Sequence, residues 1–133
     1  MAAPTPLENL RQVGHSWVFQ WDGHWASTGE FTDEAVIDVS ADFTDFTTKV
    51  VVEEIYIIST TGIEVELQFD ATTDETLAIL PEGATGPVYR DFKDYPDGGK
   101  LAHGAGATGD IFLTTTGAAS GDRIWFEIKG KVY

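Results

Sequence analysis

The sequence predicts an all-β protein, an antiparallel β-sandwich of jelly-roll type with about seven or eight strands. Three observations carry that reading. Short runs rich in β-branched and aromatic residues recur along the 133 residues, with turn signals roughly every 8–12 residues between them. Several runs alternate strictly between apolar and polar residues, the period of a strand with one wet face. No segment keeps a helical period over three turns, and there is no internal repeat, heptad or low-complexity tract.

In chain order, residues 1–12 read as an extended arm preceding a single domain over residues 13–133. Pro4 and Pro6 lie close together, and Leu7 and Leu10 are its only large apolar residues after Met1, too few to bury much. The arm is therefore expected to lie outside the fold, so that deleting residues 2–12 leaves the unfolding midpoint nearly unchanged. From Val13 to Trp21 the chain is a strand with Trp17, Phe19 and Trp21 on one face. Asp22-Gly23 is a turn signal. Val36, Ile37 and Val39 are β-branched and predict a strand over residues 35–40. Residues 42–48 form a polar connection anchored by Phe43 and Phe46.

Residues 49–59 make a strong strand whose alternation breaks at Glu53-Glu54, the mark of a bulge. After a Thr60-Thr61-Gly62 turn, residues 63–70 alternate cleanly. Ile63, Val65, Leu67 and Phe69 face one way, and Glu64, Glu66, Gln68 and Asp70 the other. The two strands read as a hairpin. A short strand over residues 76–80 stops at Pro81. Residues 81–108 are irregular, with three prolines and many glycines. Strands over residues 109–115 and 122–132 close the chain, the second burying Ile124, Phe126 and Ile128 and turning Trp125 outward.

Composition bounds function. Hydrophobic content of 42% and aromatic content of 12% describe a globular chain. At this length roughly two-thirds of the unfolded surface can be buried, enough for a core without staples. There is no cysteine, so disulfides and thiolate metal sites are excluded. The opening Met1-Ala-Ala-Pro-Thr-Pro shows no basic region followed by an apolar run, so no signal peptide is expected. No apolar run reaches the ~20 residues of a membrane helix. With 22 acidic against 8 basic residues the formal charge is −14. Nucleic-acid phosphates and anionic membranes would be repelled, so neither is an expected partner.

No motif nominates an enzyme. His15, His24 and His103 have no zinc spacing. There is no Gly-x-Ser-x-Gly elbow, dinucleotide fingerprint or phosphate loop, the Gly104–Gly109 run leading only into a strand. Asp91, Asp94 and Asp97, and the cluster of Asp70, Asp74 and Glu75, lack the spacing of a calcium loop and read as solvated loop residues. No cofactor is expected. Trp17, Trp21 and Trp25 admit a sugar-stacking platform, but a shared strand face makes Trp17 and Trp21 core residues. Trp25, following the turn, is expected to be exposed. An outward Trp125 is an interface candidate.

The order of patches adds a resemblance. Ser16-Trp-Val-Phe-Gln-Trp-Asp-Gly23, Glu34-Ala-Val-Ile-Asp-Val-Ser40, Thr48-Lys-Val-Val-Val-Glu-Glu-Ile-Tyr56, Gln68-Phe-Asp-Ala-Thr-Thr-Asp74 and Gly109-Asp-Ile, with the Gly-Ala-Ala-Ser-Gly-Asp turn, follow one another in that order. Together they resemble small β-sandwich virion proteins of tailed bacteriophages. Loop 82–108 and the arm fall outside the likeness. The resemblance implies a non-enzymatic decoration or cement protein on the outer surface of the capsid, with the major capsid protein as partner. It also implies a homo-oligomer, a trimer before a dimer. The contacts then expected are Pro4, Pro6, Leu7 and Leu10 of the arm, Tyr89, Phe92 and Tyr95 of the loop, and Trp25 and Trp125. The competing reading is a glycan-binding module on a tail or fibre, using Trp25 and the Tyr89/Phe92/Tyr95 loop.

Overall fold

The computed structural model describes residues 5–43, 50–60, 63–84, 86–96, 98–101, 106 and 108–133. Ten strands and one helical turn lie among these residues: β1 (Leu7–Val13), β2 (Ser16–His24), β3 (Glu34–Ile37), α1 (Val39–Asp42), β4 (Val50–Ser59), β5 (Glu64–Phe69), β6 (Glu75–Leu80), β7 (Val88–Asp91), β8 (Lys100–Leu101), β9 (Ile111–Thr116) and β10 (Arg123–Val132). They form two antiparallel sheets, an all-β sandwich. One runs β1-β2-β10-β4-β7, with β8 also on β4; the other runs β3-β9-β5-β6.

The pairing is nested. β5 pairs β6, β4 pairs β7, β3 pairs β9 and β2 pairs β10, and successive pairs alternate between the sheets. The inner faces meet in one core. The larger sheet contributes Trp17, Phe19, Trp21, Ile55, Ile57, Ile124, Phe126 and Ile128, and the smaller Val65, Leu67, Phe69, Leu80, Ile111 and Leu113, all buried. Alternation placed Trp17, Phe19, Trp21, Val65, Leu67, Phe69, Ile124, Phe126 and Ile128 on the buried face because each of these strands has one wetter face.

Several expectations need correction. Residues 7–12 of the supposed arm belong to strand β1, which pairs with β2 in unbroken register from Leu7↔Asp22 to Val13↔Ser16. Gly14, at φ 59°, opens the two-residue turn between them; a first turn residue with positive φ suits Gly and matches the strands' twist. Leu10 supplies the packing, half-buried against the core. Asp22-Gly23 is not a turn, because β2 runs through it to His24. Gly23 is there because the Trp21 indole covers it: a Cβ would sit 2.6 Å from Trp21 Cζ3. The strand over residues 35–40 ends at Ile37 and gives way to α1, which Asp110 holds by accepting from the Val39 N–H at 2.8 Å.

β4 and β5 are not a hairpin. β4 pairs β10, β7 and β8 in one sheet, and β5 pairs β6 and β9 in the other. The chain crosses the sandwich between them, and likewise between β9 and β10. Period-two alternation fixes which face is buried but not which sheet a strand joins. The bulge is where the sequence put it. Register shifts between Lys129 and Gly130, and Glu53 is left over opposite them. Within the irregular region, Val88–Asp91 and Lys100–Leu101 pair with β4. Phe43 is buried; Phe46 and the Thr61-Gly62 part of the turn lie outside the described residues.

Candidate functional site

The outward face of the larger sheet brings the exposed aromatics together. Its registers align side chains in rows across the strands. One row runs Ile58, Trp125, Asp22, Leu7; the next runs Tyr89, Tyr56, Glu127, Gln20, Asn9; a third runs Asp91, Glu54, Lys129, Val18, Arg11. Trp125 stands half-buried at the centre, its ring edge-on to Tyr56 at 5.8 Å and 68°. Ile58 and Tyr89 beside them are 41% and 53% exposed. Trp125 also lines two shallow clefts. One, of about 290 Å³, lies against Ile58, Thr60 and Arg123; the other, of about 160 Å³, lies against Leu7, Asn9 and Asp22. An aromatic cluster set among polar groups is the composition of a protein contact surface.

Charge separates this sheet from the rest of the molecule. Its strands hold six basic residues (Arg11, Arg90, Lys100, Arg123, Lys129, Lys131) and six carboxylates (Glu8, Asp22, Glu53, Glu54, Asp91, Glu127). The strands of the smaller sheet hold four carboxylates (Glu34, Glu64, Glu66, Glu75) and no Lys or Arg. The excess of −14 is therefore carried by the smaller sheet and the connections. The strands of the larger sheet sum to zero formal charge, which lowers the local repulsion an acidic partner would meet there.

Ion pairs knit the face. Arg123 donates to Asp22 through Nε (3.0 Å to Oδ1) and Nη2 (2.6 Å to Oδ2). That fork holds the Asp22 carboxyl below the usual carboxylate range and raises the guanidinium. Lys93 pairs with Glu54, and the bond raises the lysine above its ordinary value. Gln20 Nε2 donates to Glu127 at 2.9 Å, and Lys129 and Lys131 lie 3.7 and 3.8 Å from Glu127 and Glu53. At the β1 edge, desolvation and then the Asp42 charge push the Glu8 carboxyl up, against a hydrogen bond from Trp21 that pulls it down.

The expected contact residues divide. Trp125 and Tyr89 are on the face. Leu7 is 76% exposed at its edge, with Leu10 turned inward and Pro6 half-buried. Pro4 lies outside the described residues. Trp25 is not exposed. It is buried, its Nε1 donating to the Gly29 carbonyl at 2.7 Å and its ring edge-on to Phe31. Phe92 is also buried, with Tyr95 edge-on at 5.4 Å and Arg90 over its ring at 5.2 Å. Tyr95, partly exposed, carries Lys100 above it. Burial of Trp25 and Phe92 leaves Tyr89 and Tyr95 as the exposed rings of the alternative glycan-binding set.

The remaining candidates serve the fold. His15 Nδ1 lies 2.7 Å from the Val132 carbonyl, and its ring stacks on Tyr133. Asp91 and Asp74 accept backbone N–H groups of Lys93 and Ala71 in local turns. Among the described residues no three His, Asp or Glu gather as a metal site; His103 and Asp97 lie outside them. Sequence reasoning missed Glu30. Its carboxylate accepts from Gly117 N (2.7 Å), Ala118 N (3.1 Å) and Thr115 Oγ1 (3.2 Å), pinning the start of the β9–β10 crossover. A carboxylate meeting backbone 87 residues away leaves no local signal. No protein-family model matches this chain, and no curated protein matches it.

Proposed function

We propose that the chain is a non-enzymatic virion structural protein, a decoration or cement protein. It lies on the outer surface of the major capsid protein lattice and stabilises the head. The observation that carries this reading is the charge-balanced, aromatic-centred outer face of the larger sheet on an otherwise strongly acidic molecule. The face suits docking on protein, and the acid elsewhere suits solubility and indifference to packaged DNA. The order of sequence patches that resemble tailed-phage virion proteins supports the same reading. So does the nested strand pairing, which we read as a jelly roll: two interleaved Greek keys, an architecture used by viral capsid and lectin domains. Fold alone assigns no function; the outer face carries this reading. A lattice binder present in many copies needs only modest affinity per contact.

The test is to count copies of the chain against the main shell protein in gradient-purified virions. A second measurement is binding of wild type and Trp125→Ala to undecorated shells. Near-equimolar copies, and loss of binding by a folded Trp125→Ala protein, are expected. A handful of copies would move the protein to the tail or fibres and favour glycan binding. No copies would overturn the virion role.

A further inference from the structure

The four sheet edges are not alike. On the smaller sheet β3 is four residues long and bulged at Val36, and β6 is bulged at Leu77. On the larger sheet the far edge is made by β7 and β8, four and two residues long. Short strands and bulges are how proteins blunt an edge against pairing with another chain. β1 is different: seven residues in unbroken register, with no proline and no bulge. Six of its residues are exposed, with Leu7 at 76% and Val13 at 82%. A strand so little buried contributes little to its own core, yet among the described residues its outer edge pairs with no other strand.

The β1 sequence, Leu7-Glu-Asn-Leu-Arg-Gln-Val13, is self-complementary when run antiparallel about Leu10. Leu7 then faces Val13 of the second copy, Glu8 faces Gln12, Asn9 faces Arg11 and Leu10 faces Leu10. Apolar meets apolar, and neither charged residue meets its like. Centring on Glu8 or Arg11 would set like charges opposite each other, and centring on Asn9 would set Leu7 against Arg11. Backbone direction agrees. Val13↔Ser16 closes a two-residue turn and so exchanges both hydrogen bonds with β2. By alternation Glu8, Leu10 and Gln12 then turn their N–H and C=O groups to the free edge. These are the residues that a Leu10-centred pairing bonds.

We propose that β1 is a dimerisation edge, pairing antiparallel with β1 of a second copy of this chain about a two-fold axis at Leu10. The two larger sheets become one continuous sheet, and its outer face carries two Trp125 clusters side by side. The partner is the same surface on both sides, an isologous contact that closes at two. This revises the three-fold expectation and does not depend on the virion reading. The balanced strand charge, Glu8 against Arg11, lets two acidic chains approach along this line.

Sedimentation equilibrium of the full chain, up to about 100 μM and so well above a micromolar Kd, should give twice the 14.5 kDa chain mass. Because the chain has no cysteine, register can be read by cross-linking. Asn9 and Arg11 of opposite copies form a non-hydrogen-bonded pair with Cα atoms about 4.5 Å apart, within disulfide reach. An equimolar mixture of Asn9→Cys and Arg11→Cys proteins should oxidise mainly to the mixed dimer, several-fold over either homodimer. Both positions are exposed, so folding should survive. A monomer across the concentration range would overturn the proposal. So would a trimer, or cross-linking without preference for the 9–11 pair.

Discussion

The Trp17 indole lies where a Cβ on Gly130 would have to be: such an atom would sit 2.6 Å from Trp17 Cζ2 and against the Val51 carbonyl. Gly130 stands at the bulge opposite Glu53, where β4 and β10 lose register. The missing side chain lets β10 pass between a buried tryptophan and its neighbour's backbone. Gly130→Ala should therefore destabilise the fold by about 3 kcal/mol or more, because the obstruction is partly backbone and cannot swing aside. Urea unfolding followed by tryptophan fluorescence measures it; a change within 0.5 kcal/mol (about the effect of an ordinary surface substitution) would contradict the packing.

Glu30 is an exposed residue whose removal should not behave like a surface change. Its carboxylate satisfies Gly117 N, Ala118 N and Thr115 Oγ1, where β9 ends and the chain crosses to the other sheet. Glu30→Ala leaves these donors to water and should cost about 1–3 kcal/mol. Glu30→Gln keeps one acceptor and should fall between. Hydrogen exchange at Gly117 and Ala118 should accelerate in the alanine variant before exchange in the β5–β6 ladder does.

Asp22 and Glu8 should give opposite pH responses. The Arg123 fork depresses the Asp22 carboxyl, so its contribution is present above the unfolded carboxylate value and is lost as pH falls through the folded one. Glu8 is raised, so its charged form is disfavoured in the fold and the penalty is complete at neutral pH, easing as pH falls toward the carboxylate range. Asp22→Asn should thus lower stability at pH 7 by about 0.2–1 kcal/mol, the range of an exposed pair, and by less at pH 3, below the unfolded carboxylate value. Glu8→Gln should be neutral or slightly stabilising at pH 7. Chemical denaturation of both variants at the two pH values checks the signs.

Tryptophan position makes a sharper contrast. Trp25 is buried and hydrogen-bonded to Gly29, so Trp25→Ala should cost about 3–5 kcal/mol. Trp125 is half-buried and packs edge-on to Tyr56 on the outer face, so Trp125→Ala should cost about 1 kcal/mol and leave the core spectra unchanged. Near-ultraviolet circular dichroism with thermal melts separates the two. Equal destabilisation would mean that the outer face is part of the fold rather than a surface for another molecule.

What was legible in the sequence follows from the range of each interaction. Ile124, Phe126 and Ile128, like Val65, Leu67 and Phe69, declare their face because burial alternates with period two along a single strand. The Glu53 bulge shows as a break in the same pattern. Trp125 could be turned outward by parity alone. Trp25 lies just past the end of β2, so strand parity could not place it; the loop that follows turns Phe31 onto its ring and the Gly29 carbonyl onto its Nε1. The separation of β4 from β5 is likewise a tertiary choice. β1 was hidden for the opposite reason: with six exposed residues it has almost no hydrophobic pattern to read.

That concealed strand supplies the last test. As an arm outside the fold, residues 2–12 could be deleted with the unfolding midpoint nearly unchanged. As part of β1 they cover the edge of β2 from Leu7↔Asp22 to Gln12↔Trp17, and Leu10 packs on the core. Their removal exposes the ladder groups of β2 and the flank of Trp21, which donates a hydrogen bond to Glu8. Deletion should lower the melting temperature by roughly 5 °C or more, in line with a loss of one to two kcal/mol in a chain of this size. It should also raise aggregation, since β2 then presents a nine-residue unpaired edge. Differential scanning calorimetry with light scattering measures both. An unchanged melting temperature and no added scattering would return these residues to the status of an arm.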